Sequence, residues 1–175
     1  MAELSTRSRG GALYRRREPT ENPIQLDSDV SSVMTRLREL TIDDYDAIIG
    51  LWRAAGLQSV RLRGRDSRDA FAAQLAAGQK VIGLEEAGQL IGAVVITDDT
   101  RKGWINRLAV HPDYRRKGYG ARLLAAAEER LRAMGFRIFA GLIEADNKGS
   151  LALFEKEGYK THDIVYVSKR DSDDV

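Results

Sequence analysis

Arg115-Arg116-Lys117-Gly118-Tyr119-Gly120 stands between an apolar run, 104–110, and a helical run, 121–134. A strand, a basic glycine loop and a helix in that order make a seat for a pyrophosphate. The start of a helix presents unpaired backbone N–H groups and the positive end of the dipole. Glycine lets the backbone approach the anion because no Cβ intervenes. Arg115, Arg116 and Lys117 add positive charge, and arginine forks suit phosphate oxygens.

Two familiar phosphate loops do not fit. The dinucleotide fingerprint needs three glycines directly after a first strand. The P-loop needs its lysine after the glycine and a Ser or Thr beyond it. Here Lys117 precedes Gly118, and Ala121 follows Gly120. What remains is R-x-x-G-x-G after Leu108-Ala109-Val110-His111-Pro112. Downstream stands Asn147, then a short helical stretch through Ser150 and Phe154, then Gly158-Tyr159.

These two stretches, in this order, resemble the acetyl-CoA loop and the second signature of the GNAT superfamily of N-acetyltransferases. The likeness is to small single-domain bacterial and archaeal members, and it spans 34–169. It implies an α/β fold: a mixed, mostly antiparallel sheet flanked by about four helices, with two strands splayed into a cofactor wedge. It also implies that acetyl-CoA is the co-substrate. Pyrophosphate would lie on the N–H groups of Arg116, Lys117, Gly118, Tyr119, Gly120 and Ala121, beside Arg115. Leu108, Ala109 and Val110 would pair with the pantetheine amides as with another strand. The Val110 N–H would polarise the thioester oxygen. Asn147, Ser150 and Phe154 would border the pantetheine.

The catalytic half of the resemblance departs from the family. Its usual glutamate falls near Asn106, which cannot be a base. Its usual tyrosine falls at Phe154, which has no proton to give. Glu144 and Tyr166 are the expected substitutes, with Asp146 and Glu85 as further carboxylates. His111 reads as a turn-capping residue and His162 as ordinary. Trp52 and Trp104 read as core. The arginines 61, 63 and 65 lie where the family often places its acceptor loop.

Periodicity predicts the remaining elements. A strand is expected over 35–40 and a helix over 42–55, opened by Thr41 with Asp44 three residues on. A second helix is expected over 68–77, capped by Ser67. Strands are expected over 80–85 and 90–97, joined by a hairpin at Gly88, then over 104–110 and 137–143. The last helix is expected over 150–157 with Ser150 as its cap, and strands over 159–162 and 164–168 close the sheet. Residues 1–33 read as a flexible extension, 34–170 as the domain, and 171–175 as an acidic tail.

Composition narrows the functional classes. The 175 residues suit one domain, and the net charge of +2 gives no global pull toward nucleic acid or membrane. There is no cysteine and there are only two histidines, so neither a thiolate site nor a histidine-rich metal site is expected. Without cysteine, no acetyl-cysteine can form, and transfer is expected to be direct. The expected location is cytoplasmic, and a homodimer is compatible with the chain. Two other functions remain open at this point. One is a non-catalytic acyl-CoA-binding module or sensor, for which Asn106 and Phe154 speak. The other is an RNA- or ribosome-associated protein acting through Arg15-Arg16-Arg17 in the leader.

Overall fold

Three alternating positions in one strand define the layers. Ala93 and Val95 point into one core and Val94 into another, because successive strand side chains face opposite sides. This strand, β3 (Gln89–Asp98), sits at the centre of a sheet ordered β1 (Thr35–Glu39), β2 (Lys80–Glu86), β3, β4 (Gly103–Val110) and β5 (Phe139–Ala140). The computed structural model describes residues 34–172. The leader, with its expected flexibility and arginine cluster, and residues 173–175 of the acidic tail lie outside the described residues.

β1 to β4 pair antiparallel, and β5 joins β4 in parallel. On one face lie α1 (Tyr45–Ala54) and α2 (Arg68–Ala76), which bury Ile48, Trp52 and Phe71 against Val81 and Val95. On the other lie α3 (Tyr119–Ala133) and α4 (Lys148–Lys156), which bury Leu123, Leu131 and Phe154 against Ile82, Leu84 and Ile105. The expected mixed, mostly antiparallel sheet with four helices is therefore present. Among the described residues no helix is long and apolar enough to cross a membrane.

Local chemistry sets the element ends. Thr41 Oγ1 accepts from Asp43 N at 3.3 Å, and Asp44 Oδ2 accepts from Thr41 N at 2.9 Å, which closes the expected capping box. It starts a one-turn 3-10 helix at Ile42–Asp44, so the α-helix itself begins at Tyr45. Arg38 donates to both Asp44 and Glu85 and ties β1 to this turn. The hydrogen bond from Arg38 holds the Asp44 carboxyl down at about 2. The stability this adds is therefore present above the ordinary Asp range and is lost as pH falls toward about 2. The hairpin between β2 and β3 turns through Ala87 and Gly88, both at positive φ (50° and 80°), as a two-residue primed turn requires.

β4 carries an extra residue. Ala93 pairs with Ala109, but Val95 pairs with Asn106, so three steps on β4 match two on β3. Arg107 takes the strain at φ 48°. The consequence is a change of face. Ile105 and Ala109 are four residues apart, yet they lie in opposite cores.

The end of the sheet departs from expectation. β5 was expected over 137–143 and stops after Ala140. Its pairing with β4 covers only Gly103 with Phe139 and Trp104 with Ala140, after which the two strands part. Beyond that point Gly141 to Ile143 have no strand beside them among the described residues. The strands expected over 159–162 and 164–168 do not form. Tyr166 is thus on no final strand.

Candidate active site in the wedge between two strands

The parting of β4 and β5 opens a cavity of about 300 Å³. Ile105, Arg107 and Leu108 line one side, with Glu144, Asn147, Ser150 and Phe154 on the other. Gly56, Gln58 and Ser59, just after α1, close its mouth.

The glycine loop lies at the far end of β4. His111 N donates to Ile91 O at 2.8 Å, toward β3. Alternation along the strand then turns the Val110 N–H away from β3, to the open side of β4. His111 caps the one-turn helix Pro112–Tyr114 by accepting from Asp113 N at 3.4 Å, the turn-capping role expected of it. Arg116 at φ 60° and Gly118 at φ 81° are both left-handed. Such turns curl successive N–H groups into an anion-binding concavity. Gly118 opens α3, and no side chain caps that end. Outside α3 itself, none of the N–H groups of residues 116–121 has a backbone partner among the described residues. The position a Cβ would take on Gly118 meets nothing within 4 Å. Open space and free donors suit a pyrophosphate.

Gly120 has a different reason. A Cβ there would stand 3.0 Å from Leu153 Cδ2, so this glycine lets the first turn of α3 approach α4. Arg115 is also occupied. Its guanidinium donates to Val110 O at 3.1 Å and Ala55 O at 2.9 Å, tying the end of α1 to the end of β4. Lys117 lies over the Tyr114 ring, and Tyr119 donates to Glu86 at 2.8 Å. That hydrogen bond to a carboxylate is the main reason the Tyr119 hydroxyl is held above its ordinary range.

Asn147, rather than Ser150, caps α4: its Oδ1 accepts from Ser150 N at 3.1 Å. Ser150 sits in the first turn and still lines the wedge. Phe154 is buried, packed edge-on to Tyr159 at 4.8 Å. Glu144 lines the wedge and is exposed to solvent. Tyr166 is 70% exposed and does not line the wedge. Asp146 does not line it either. Glu85 is held by Arg38, two strands away from β4. Asn106 donates to Thr97 Oγ1 at 2.9 Å, on the α1 and α2 side of the sheet.

The sequence reading missed a buried ion pair. Asp66 is 2% exposed and accepts both Arg107 nitrogens, at 2.6 and 3.1 Å, together with Arg61 N at 2.7 Å. Arg107 also stacks on Trp52 at 4.6 Å. The signal was one cation in an otherwise uncharged β4 and one acid in a loop of arginines. Those loop arginines are partly spent on the loop itself: Arg61 donates to Gln58 O and Val60 O, and Arg65 to Ser59 O.

Comparison with known proteins agrees with this geometry. PaiA N-acetyltransferase from Thermoplasma acidophilum, solved with coenzyme A, is similar at 21% identity and a TM-score of 0.68, over 75% of this chain and 93% of that one. Aminoglycoside N-acetyltransferase AAC(6')-Iy, solved with CoA, is similar at 16% identity and 0.64, over 79% and 96%. The ribosomal-protein-S18-alanine N-acetyltransferase from Escherichia coli is similar at 22% identity and 0.62, over 71% and 77%. No curated protein matches. Residues 36–159 match the Acetyltransferase (GNAT) family, and with that match over most of its length the chain belongs to this family of acetyltransferases.

Proposed function

We infer that the chain moves an acetyl group from acetyl-CoA directly to an amine of a small molecule, peptide or protein. The observation that carries this reading is the uncapped start of α3 beside an open wedge lined by Leu108, Glu144, Asn147 and Ser150. Acetyl-CoA supplies the activated acetyl thioester. The N–H groups of residues 116–121 hold its pyrophosphate, with Arg116 and Lys117 adding charge while Arg115 keeps its backbone contacts. Residues 108–110 of β4 offer the pantetheine amides a strand edge. The Val110 N–H stabilises negative charge on the carbonyl oxygen as the amine adds. Glu144 takes the proton that the amine sheds, directly or through water, and gives it back as the thiolate leaves.

The similar folds carry acceptors as different as aminoglycosides and a ribosomal-protein alanine, so the acceptor is a matter for experiment. The test is CoA release from acetyl-CoA against free N-terminal peptides, peptides with only lysine amines, polyamines, amino acids and aminoglycosides. Release with one class supports transfer and names the acceptor type. Binding of acetyl-CoA without release from any class would instead favour a sensor.

With an acceptor in hand, Glu144→Gln is expected to lower kcat about 100-fold and to flatten the acidic limb of the pH profile. A profile superimposable on that of the unaltered chain would clear Glu144 of the role.

A further inference from the structure

Among the described residues, two buried side-chain N–H groups have no hydrogen-bond partner: Trp52 Nε1 and Arg65 Nε. Buried donors are paired in the great majority of cases, because an unpaired one gives up water and gains nothing in return. Both residues line one cavity of about 290 Å³, on the α1 and α2 side of the sheet. This cavity adjoins the wedge, since Arg107 and Leu142 line both.

The other charged and amide groups in its wall have partners within the protein. Asp66 accepts from both terminal nitrogens of Arg107 and from Arg61 N. Arg65 Nε stands 3.8 Å from Asp66 Oδ2, too far for a hydrogen bond. Gln74 donates to Arg65 O at 2.6 Å, and Asn106 donates to Thr97 Oγ1 at 2.9 Å. What is left over is donors and charge. Arg65 and Arg107 against Asp66 leave one positive charge in the wall. Arg61 and Arg63, in the same loop as Arg65, add to it from outside.

The two spare donors are held in place. The Trp52 ring is 1% exposed, edge-on to Phe71 at 6.0 Å and stacked under the Arg107 guanidinium at 4.6 Å. Its N–H cannot swing out to water. The Arg65 guanidinium is anchored by its own bond to Ser59 O at 2.9 Å. Indole and guanidinium N–H groups donate and never accept. Two fixed donors beside a surplus positive charge match an anion with two acceptor oxygens.

We propose that this cavity takes the carboxylate of the acceptor, so that the amine acetylated belongs to a small amino carboxylate. The proposal rests on the acetyl-transfer reading and narrows it to one substrate class. The cavity lies at the small end of ligand pockets, which run from about 300 to 1,000 Å³, and so suits a molecule of amino-acid size. A carboxylate held at Trp52 and Arg65 directs the amine past Arg107 and Leu142 into the wedge. There the nitrogen bonds to the thioester carbonyl carbon and the C–S bond breaks. The proton shed by the nitrogen passes through Glu144 to the departing thiolate. The products are an N-acetyl amino carboxylate and CoA. A polyamine brings the wrong sign of charge to this cavity and nothing for the two donors to hold.

The test sets each common amino acid, β-alanine and γ-aminobutyrate beside its carboxamide, with CoA release from acetyl-CoA as the readout. From acid to amide, kcat/KM is expected to fall about 100-fold, although an α-amino amide has the more readily deprotonated amine. Arg65→Met, at a side chain 37% exposed, keeps the stem and removes the donor. It is expected to raise KM for the amino carboxylate about tenfold with kcat little changed. Trp52→Phe removes the other donor. In both variants the preference for acid over amide should shrink, a ratio that loss of folded protein does not move. Equal rates for acid and amide, or an unchanged ratio in both variants, would overturn the proposal and leave acetyl transfer standing. Should no amine support release, ligand-observed NMR of the amino-acid panel with the CoA-loaded chain decides. Binding that Arg65→Met abolishes would keep the carboxylate site and set transfer aside, and no binding would overturn the site as well.

Discussion

Gly118→Glu is expected to weaken acetyl-CoA binding about a hundredfold, measured by titration calorimetry. The substitution has two effects. Gly118 sits at φ 81°, where a side chain costs about 1–2 kcal/mol of fold stability with or without the ligand. The new carboxylate also stands in the open space before the α3 N-terminus, where the pyrophosphate belongs. Two unit charges about 5 Å apart at an effective dielectric near 20 repel by roughly 3 kcal/mol. Each 1.4 kcal/mol is about tenfold in affinity. Gly118→Ala separates the two effects. Its Cβ meets nothing within 4 Å and adds no charge, so it should cost fold stability and leave affinity within a few-fold. Unchanged affinity in the glutamate variant would remove the loop from the cofactor site.

The parts of this site that sequence made legible are those built by local rules. A glycine that must be left-handed, a helix that must start, and Thr41 with Asp44 closing a capping box are decided within a few residues. What sequence did not disclose depends on partners far apart in the chain. Arg115 has the composition of a phosphate ligand, and only the packing of α1 against β4 offers it the Ala55 carbonyl, 60 positions away. Ser150 is a good cap by type, but Asn147 lies where its carbonyl can reach Ser150 N. Residues 141–143 have a strand's composition and no strand on either side. A period-two pattern reports a preference for a sheet and is silent on whether the neighbour exists. The bulge at Arg107 left no mark in the pattern, because Ile105, Leu108 and Ala109 are apolar on both faces.

Asp66→Ala is expected to destabilise the fold by about 3–5 kcal/mol. The carboxylate is 2% exposed and holds three donors: both terminal nitrogens of Arg107 and the Arg61 N–H. Deleting it leaves the Arg107 guanidinium, whose side chain is 20% exposed, facing Trp52 without its counter-charge. Because the cost comes from the stranded charge, removing both partners should cost less than the sum. Asp66→Leu with Arg107→Leu should recover roughly 1–3 kcal/mol of that sum in urea unfolding. Strict additivity would mean the pair does not act as a unit. The same pair holds the side chain of the left-handed residue at the β4 bulge, which sets the face of everything from Leu108 to Val110. Asp66→Asn keeps the shape but removes the charge and leaves one acceptor oxygen, with its NH2 group set against a donor of Arg107 or Arg61. It is expected to fold, to bind acetyl-CoA, and to lose turnover through kcat, because the strand edge bearing the Val110 N–H is held less firmly. If Asp66→Asn instead retained full kcat, the bulge would be fixed by the β3 pairing alone, and the ion pair would serve stability only.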